Sequence, residues 1–125
     1  MKHLLDVNLL IALAWKSHAH HAKADAWLAG KQIVLCPISE LGFIRLSTNK
    51  KVLNAPMADA RKLLKEFIQV NRAERIPADL DALDSHPRTS DQVTDFYLAD
   101  LAAKYGLKLA TFDGQLKHAS VELVQ

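Results

Sequence analysis

The stretch HLLDVNLLIAL at residues 3–13 contains the pattern that decides the fold. A short apolar run ends at an acid, Asp6, and the residues after it have the apolar spacing of a helix. Strands that pass directly into helices are typical of parallel α/β sheets. We therefore expect residues 3–5 to form a buried strand and Asn8 to cap the helix that follows.

The rest of the chain alternates strand and helix patterns in the same way. The further predicted strands are 33–36, 107–111 and 121–124, with a weaker one at 74–77. Four further helices are predicted: 20–29, a helix that follows a cap at Ser39, 57–70, and 95–105 with Thr94 as its cap. A helical turn is expected in 79–85 and a loop at 85–92. This order predicts an α/β fold, with a mostly parallel central sheet of four to five short strands and helices on both faces.

Length and composition narrow the class of protein. With 125 residues, half of them apolar, the chain can bury one core, so we expect a single domain over 1–125. No apolar stretch approaches the roughly 18 residues of a membrane span, and the acid at position 6 interrupts any signal-peptide core, which predicts a cytoplasmic protein. The single cysteine, Cys36, excludes an internal disulfide and a cysteine-based zinc site, and we expect it to be a buried structural thiol.

Charge is unevenly distributed along the chain. Residues 1–75 contain 12 basic and 6 acidic side chains, whereas residues 76–125 contain 4 and 8. The segment 45–75 alone holds 8 of the 16 lysines and arginines. This segment could form an approach surface for a polyanion. Ordinary solvated helix faces are the alternative.

Four acids fall at the junctions of apolar runs and helical patterns. They are Asp6, Glu40, Asp95 and Asp113. The carboxyl ends of parallel strands meet at one edge of a sheet, so these side chains are expected to share one crevice. Four carboxylates in one crevice repel one another, and a hard divalent cation with oxygen ligands would relieve that repulsion. Each acid taken alone could instead be a helix cap or a partner of a helix dipole.

Other acids have simpler interpretations. Asp100 is rotated about 140° from Asp95 on a helix and is not expected to be a fifth ligand. Asp91 is expected to be a loop acid. Acids at positions 79, 81 and 84 resemble a calcium loop but lack its central glycine and its final glutamate, so capping or solvation is favoured.

The histidine cluster and the tryptophans also favour structural roles. A capping or surface role is expected for the clustered histidines, His18, His20 and His21, because no further ligand stands at a metal-binding spacing. Trp15 and Trp27 are expected to be core or interface residues.

Four motifs together resemble the PIN-domain family, specifically the VapC-type toxins of bacterial toxin–antitoxin pairs. They are LLDVNLLIAL at 4–13, ISELGFIRL at 38–46, VTDFYLADLA at 93–102 and LATFD at 109–113. Their order and spacing match over nearly the full chain, and HAHHAKADAWL at 18–28 resembles one VapC subgroup. Residues 76–91 carry no such likeness.

The resemblance implies a divalent-metal-dependent endoribonuclease that hydrolyses phosphodiester bonds in RNA. The four acids listed above match the acidic positions of the family site, with Glu40 the least secure of them. Asn8 matches the polar residue beside the first acid and Thr111 the hydroxyl before the last, while Arg45 could bind phosphate or pair with a site carboxylate. The resemblance further implies Mg²⁺, or Mn²⁺, as cofactor, a small antitoxin protein as partner, and a homodimer.

The chemistry of the residues agrees with this implication. Mg²⁺ takes few carboxylates directly, so Asp6 and Asp95 are the expected direct ligands, with Glu40 and Asp113 direct or through water. One alternative, a phosphoryl receiver domain, needs an acidic pair after the first strand and a lysine after a later one, and both are missing. The other alternative is a PIN scaffold that binds RNA or a protein partner without cleaving it.

Overall fold

The computed structural model describes residues 2–125. Five strands are present, β1 (Lys2–Leu5), β2 (Gln32–Leu35), β3 (Glu74–Arg75), β4 (Lys108–Thr111) and β5 (Val121–Leu123). Five α-helices are present, α1 (Val7–Ala14), α2 (His21–Leu28), α3 (Pro37–Thr48), α4 (Met57–Asn71) and α5 (Val93–Lys104). Two short 3₁₀ turns, Ala82–Asp84 and Ser90–Gln92, lie in the segment before α5.

The strands form one sheet in the order β3-β2-β1-β4-β5, and every pairing is parallel. In the centre, Leu4 pairs with Val34 of β2 on one side and with Leu109 of β4 on the other. The predicted fold class is therefore confirmed, with five strands.

The two faces of the sheet bury different helices. Leu5 and Ala110 point to the face covered by α1 to α4, where Phe43 is fully buried. Leu4 and Leu109 point to the opposite face, which α5 covers. Because the central strands are buried on both faces, they read as continuous apolar runs and not as alternating ones.

The starts of three helices differ from the sequence prediction. Asp6, not Asn8, caps α1, because its Oδ1 accepts the backbone N–H of Leu9 at 2.7 Å. The polar side chains near each start are similar in capping ability, and the point where the buried strand ends decides between them.

The other two starts lie a few residues before the predicted caps. Helix α3 begins at Pro37, whose fixed φ suits the first helical position, with Cys36 as N-cap residue. Ser39 lies inside the first turn, and its hydroxyl accepts the N–H of Cys36 at 3.1 Å. Helix α5 begins at Val93, so Thr94 is also a residue of the first turn.

Several smaller predictions can be compared with the structure. Cys36 is buried, and Trp15 and Trp27 are half-buried against the core, with the indole N–H of Trp15 donated to Ser47 Oγ at 2.9 Å. The predicted loop 85–92 contains the second 3₁₀ turn. Within residues 2–125, the longest helix has 15 residues, and no helix has the length and apolarity required to span a bilayer.

Candidate active site

The site lies where the strand order of the sheet reverses. From β1 the chain runs outward to β2 and β3, then crosses to β4 and β5 on the other side. The connecting helices change faces at the same place, α1 to α4 on one face and α5 on the other. Such a reversal opens a crevice at the carboxyl ends of the two central strands. Asp6 follows β1 there, and Thr111 ends β4.

Asp6 is the most buried acid of the site. It is 1% exposed, its Oδ1 accepts the N–H of Leu9, and its Oδ2 accepts the hydroxyl of Thr111. The pKa of its carboxyl is raised to about 7, mainly because burial disfavours the charged form. The two hydrogen bonds oppose this rise, and the charges of Asp95 and Asp113 add to it.

Thr111 links two of the acids. Its hydroxyl donates to Asp6 and accepts the backbone N–H of Asp113 at 3.0 Å. The Oδ1 of Asp113 in turn accepts the N–H of Gln115 at 2.8 Å. A single buried hydroxyl therefore fixes the position of Asp113 relative to Asp6.

Asp95 enters the site from α5. It lies in the first turn of that helix and is partly buried. Burial raises the pKa of its carboxyl, and the charge of Asp113 raises it further. Asp6, Asp95 and Asp113, which come from three separate parts of the chain, thus form one group of interacting negative charges.

Glu40 stands apart from this group. Arg75, at the end of β3, holds it in a bidentate ion pair, with Nε 2.7 Å from Oε2 and Nη2 2.8 Å from Oε1. Glu40 is not among the charges that raise the pKa of Asp6 or of Asp95. Sequence reasoning missed Arg75, although its position within a predicted strand, 74–77, was a usable signal.

Two of the three predicted accessory residues occupy exposed positions, whereas the third, Thr111, is buried. Asn8 is exposed in the first turn of α1, and Arg45 is exposed in the last turn of α3. Within residues 2–125, no carboxylate lies within 4 Å of the Arg45 guanidinium, so the ion pair considered for it is not formed. The cation beside Glu40 is Arg75 instead.

Most of the remaining acids and histidines named from the sequence have local partners. Asp100 lies 2.7 Å from Nε2 of His118, away from the three acids, and Asp91 is exposed in the second 3₁₀ turn. His21 contacts the carbonyl oxygen of Ala12 at 2.9 Å. The Nδ1 of His18 accepts a backbone N–H, that of His20, at 3.0 Å. These contacts are of the structural kind expected for them.

The donor set fits a hard divalent cation in its chemistry. In the described part of the chain, no three His, Cys, Asp or Glu side chains converge tightly enough to surround an ion as they stand. The three acids nonetheless offer only carboxylate oxygens, and the neighbouring carboxylates disfavour the ionisation of Asp6 and of Asp95. A divalent cation among them would offset that repulsion with the ligands it prefers.

A close helix contact sets the distance between the two halves of the site. Gly42 of α3 packs on Val7, the residue after Asp6, and a Cβ at Gly42 would lie 2.5 Å from Cγ2 of Val7. The missing side chain therefore lets α3, which carries Glu40, approach the start of α1. No pattern in the sequence distinguished this glycine.

Comparison with known proteins agrees with the site. The family model described as PIN domain matches residues 3–122. Ribonuclease VapC38 of Mycobacterium tuberculosis is 41% identical over 118 residues, 88% of this chain and 84% of the relative. Ribonuclease VapC39 of the same species is 36% identical over 141 aligned positions, 100% of this chain and 99% of the relative.

Two solved structures have a similar fold. The first is VapBC2 from Rickettsia felis bound to a promoter DNA fragment, with TM-score 0.62, 16% identity, and 92% of this chain and 90% of the other covered. The second is FitAB bound to the IR36 DNA fragment, with TM-score 0.57, 18% identity, and 95% and 99% covered. At these identities the likeness concerns the fold alone. The family match and the relatives confirm the resemblance seen in the sequence, and the chain belongs to the PIN-domain family as a VapC-type member.

Proposed function

We propose that this chain is the toxin of a toxin–antitoxin pair, a single-domain endoribonuclease that hydrolyses phosphodiester bonds in RNA with a divalent metal ion. The observation that carries the proposal is the group of three acids at the carboxyl ends of β1 and β4, in which the charges of Asp95 and Asp113 oppose the ionisation of Asp6 and the charge of Asp113 opposes that of Asp95. Structural ion pairs would not leave three carboxylates without a cation, whereas a metal-dependent nuclease requires such a group.

Asp6 and Asp95 are the proposed direct ligands, with Asp113 direct or through water. Mg²⁺, or Mn²⁺, bound here would offset the negative charge on the phosphoryl oxygens. It would also make a bound water molecule more acidic. The hydroxyl of Thr111 donates its proton to Asp6 and so keeps that carboxylate in one orientation. Because the hydroxyl also accepts the Asp113 N–H, a change at Thr111 would displace two ligands together.

The face beside Glu40 suits the approach of RNA. Between α3 and α4 lies a groove of about 800 Å³. Four basic residues line it, Arg61, Lys62, Lys65 and Arg75. Their charges would attract the phosphate backbone and release condensed counterions. Arg45 and Asn8 are proposed as further substrate contacts, and Glu40 as an accessory acid.

The proposed partners are based on the assemblies that the similar structures contain. The Rickettsia felis neighbour is a VapBC2 assembly and the other neighbour a FitAB assembly, both on DNA. We propose a small antitoxin as partner of this chain, a homodimer as its own assembly, and the cytoplasm as its location. A PIN scaffold that binds RNA or protein without cleaving it is the second candidate function, and the mutual repulsion of the acids argues against it, because keeping them without metal would only reduce stability.

A cleavage assay with matched acid variants tests the proposal. Single-stranded RNA is incubated with Mg²⁺ and the wild type, Asp6→Asn, Asp95→Asn or Asp113→Asn. Each variant should lose more than about 100-fold in rate, since even changes around metal ligands cost 10- to 100-fold. Asp100→Asn is the control, because this acid of α5 pairs with His118 outside the site. It should keep wild-type activity.

Thermal unfolding separates metal binding from cleavage. Mg²⁺ at about 100 times its Kd should stabilise the wild type by about 3 kcal/mol, and Asp6→Asn should lose this gain. Cleavage that persists in EDTA, or in any of the three acid variants, would contradict the assignment. Metal binding without any RNA cleavage would favour the non-catalytic scaffold.

A further inference from the structure

A second cavity lies on the α5 face of the sheet and has no assigned role. It is a pocket of about 280 Å³ between the start of α5 and the segment 78–87. Most of its lining is apolar, with Ile38, Leu80 and Ala82 among the residues that form it. Ligand pockets are typically apolar with a few convergent polar groups, and this volume is near their lower limit of about 300 Å³. It is therefore suited to a small group with a largely apolar surface.

The pocket adjoins the acids of the candidate active site. Thr94, which lines it, immediately precedes Asp95, so their Cα atoms are about 3.8 Å apart. Ile38, which also lines the pocket, is two residues before Glu40 in α3. A nucleotide whose phosphate lay at the acids would thus have this pocket within reach of its base.

One wall of the pocket is held in place by hydrogen bonds. The hydroxyl of Tyr97 donates to the carbonyl oxygen of Leu80 at 2.7 Å and accepts the N–H of Leu80 at 3.3 Å. Asp81 accepts the N–H of Leu83 at 2.9 Å and so caps the 3₁₀ turn. The Tyr97 ring, which also lines the pocket, is therefore fixed by its hydroxyl. Such a ring offers a preset face for stacking.

Ser85 provides an unpaired polar group at this pocket. It lines the cavity, it is 9% exposed, and its Oγ is buried without a hydrogen-bond partner. Buried polar atoms are rarely left unpaired, and each such atom needs an explanation. A ligand with a donor or acceptor group would supply the missing partner. An apolar partner surface would leave it unpaired, which disfavours a protein contact here.

We propose that this pocket binds one base of the RNA, at a nucleotide next to the cleaved phosphate. Tyr97, Leu80 and Ile38 contact the faces of the base, and the Ser85 hydroxyl bonds its polar edge. Recognition of an unstacked base by stacking and edge hydrogen bonds is the usual means of reading single-stranded RNA. The wall formed by residues 78–87 lies in the part of the chain that carries no family motif, so the pocket contributes base preference and not the hydrolysis itself. This inference rests on the proposed ribonuclease function.

Abasic substrates test the pocket directly. The cleavage site of the wild type is first mapped on a single-stranded RNA, and oligonucleotides are then made with an abasic ribose at either flanking position. The abasic substitution at one position should lower kcat/KM by about 5- to 150-fold, the range of a single stacked base. Ala82→Phe, which fills the pocket, should lower kcat/KM on the intact RNA to the abasic level, mainly through KM, with no further loss on the abasic RNA.

Two further variants sharpen the result. Leu83→Phe is the matched control, because Leu83 lies in the same turn but is 86% exposed and outside the pocket. It should behave as the wild type. Ser85→Ala should reduce the difference in kcat/KM among the four bases at the pocket position while leaving the abasic rate unchanged.

Binding measurements keep the pocket testable even without cleavage. Fluorescence anisotropy of intact and abasic RNA, without metal, should show a preference for intact RNA that Ala82→Phe removes. Equal binding of both RNAs by the wild type would overturn the pocket proposal. An Ala82→Phe protein with unchanged base dependence but an altered mass by light scattering would also overturn it and identify a protein interface. Absence of metal-dependent cleavage alongside retained base preference would overturn only the ribonuclease proposal.

Discussion

The acids at the two edges of the crevice have opposite charge environments. At the β1/β4 edge, Asp6 is 1% exposed and has hydrogen bonds but no cation, so the pKa of its carboxyl is raised to about 7. At the β2/β3 edge, Glu40 has a guanidinium in bidentate contact, and the Arg75 side chain is 60% exposed. Among residues 2–125, no cation forms an ion pair with an acid of the first edge, whereas Arg75 pairs with Glu40 at the second. A metal ion would therefore relieve more charge repulsion at the β1/β4 edge than at the β2/β3 edge, where Arg75 already pairs with Glu40.

The first prediction concerns the pH dependence of stability at the β1/β4 edge. Between about pH 4 and pH 7, the unfolded chain loses the Asp6 proton while the folded chain keeps it. The free energy of unfolding should therefore fall as pH rises through this window, by up to about 4 kcal/mol, and Asp95 contributes in the same direction. Urea unfolding at half-unit pH steps, without metal, measures the fall.

Asp6→Asn is the control for this titration. The amide can cap α1 as the carboxyl does but cannot ionise, so most of the fall should disappear. Millimolar Mg²⁺ should reduce the fall in the wild type and leave the variant unchanged. Parallel pH profiles of the unfolding free energy for the two proteins would show that Asp6 is not the titrating group responsible for the fall.

The second prediction concerns the contact that joins the two edges. Gly42→Ala places a Cβ against Val7, and overpacking of this kind costs about 1–3 kcal/mol, while alanine returns about 1 kcal/mol of helix propensity. A net loss of about 1 kcal/mol in urea unfolding is expected. In the Val7→Ala background the same change should be neutral or stabilising, because the clash is gone. Additive effects of the two substitutions would contradict this explanation.

The third prediction is the smallest and concerns the β2/β3 edge. Arg75→Gln should change the free energy of unfolding by less than about 1 kcal/mol, since exposed ion pairs contribute little. Freed from its partner, Glu40 should raise Mn²⁺ affinity by no more than about fivefold, measured by titration calorimetry. In the Glu40→Gln background, Arg75→Gln should have no effect on Mn²⁺ affinity. A loss of several kcal/mol would mean that the pair is structural.

Much of the site could be predicted because strand ends are visible in a sequence. Asp6, Asp95 and Asp113 each follow or precede an apolar run, and a parallel sheet brings such positions together. Thr111 was named from the resemblance to the family, as the hydroxyl before the last acid. The order of the strands in the sheet was harder to predict from the sequence, since strand pairing depends on contacts between distant parts of the chain.

The features that were missed depend on tertiary contacts. Asn8 and Thr94 were plausible caps by residue type, but the actual ends of the buried strand and of the preceding turn decide the cap. The pairing of Glu40 with Arg75 bridges 35 positions and depends on β2 lying beside β3. One wall of the proposed base pocket is a segment without strong periodicity, and its position depends on hydrogen bonds to distant residues of α5 and to Tyr105.

The hydrogen bond between Thr111 and Asp6 spans 105 positions of the chain. At roughly 5–20 residues per second, a ribosome makes Asp6 about 5–20 s before it makes Thr111. During this interval the nascent protein contains the first acid and its helix cap, but neither Thr111 nor Asp113. An unfinished chain thus lacks the assembled acids, and only translation through β4 brings them together. The order of the strands therefore delays the assembly of the acids until β4 has been synthesised.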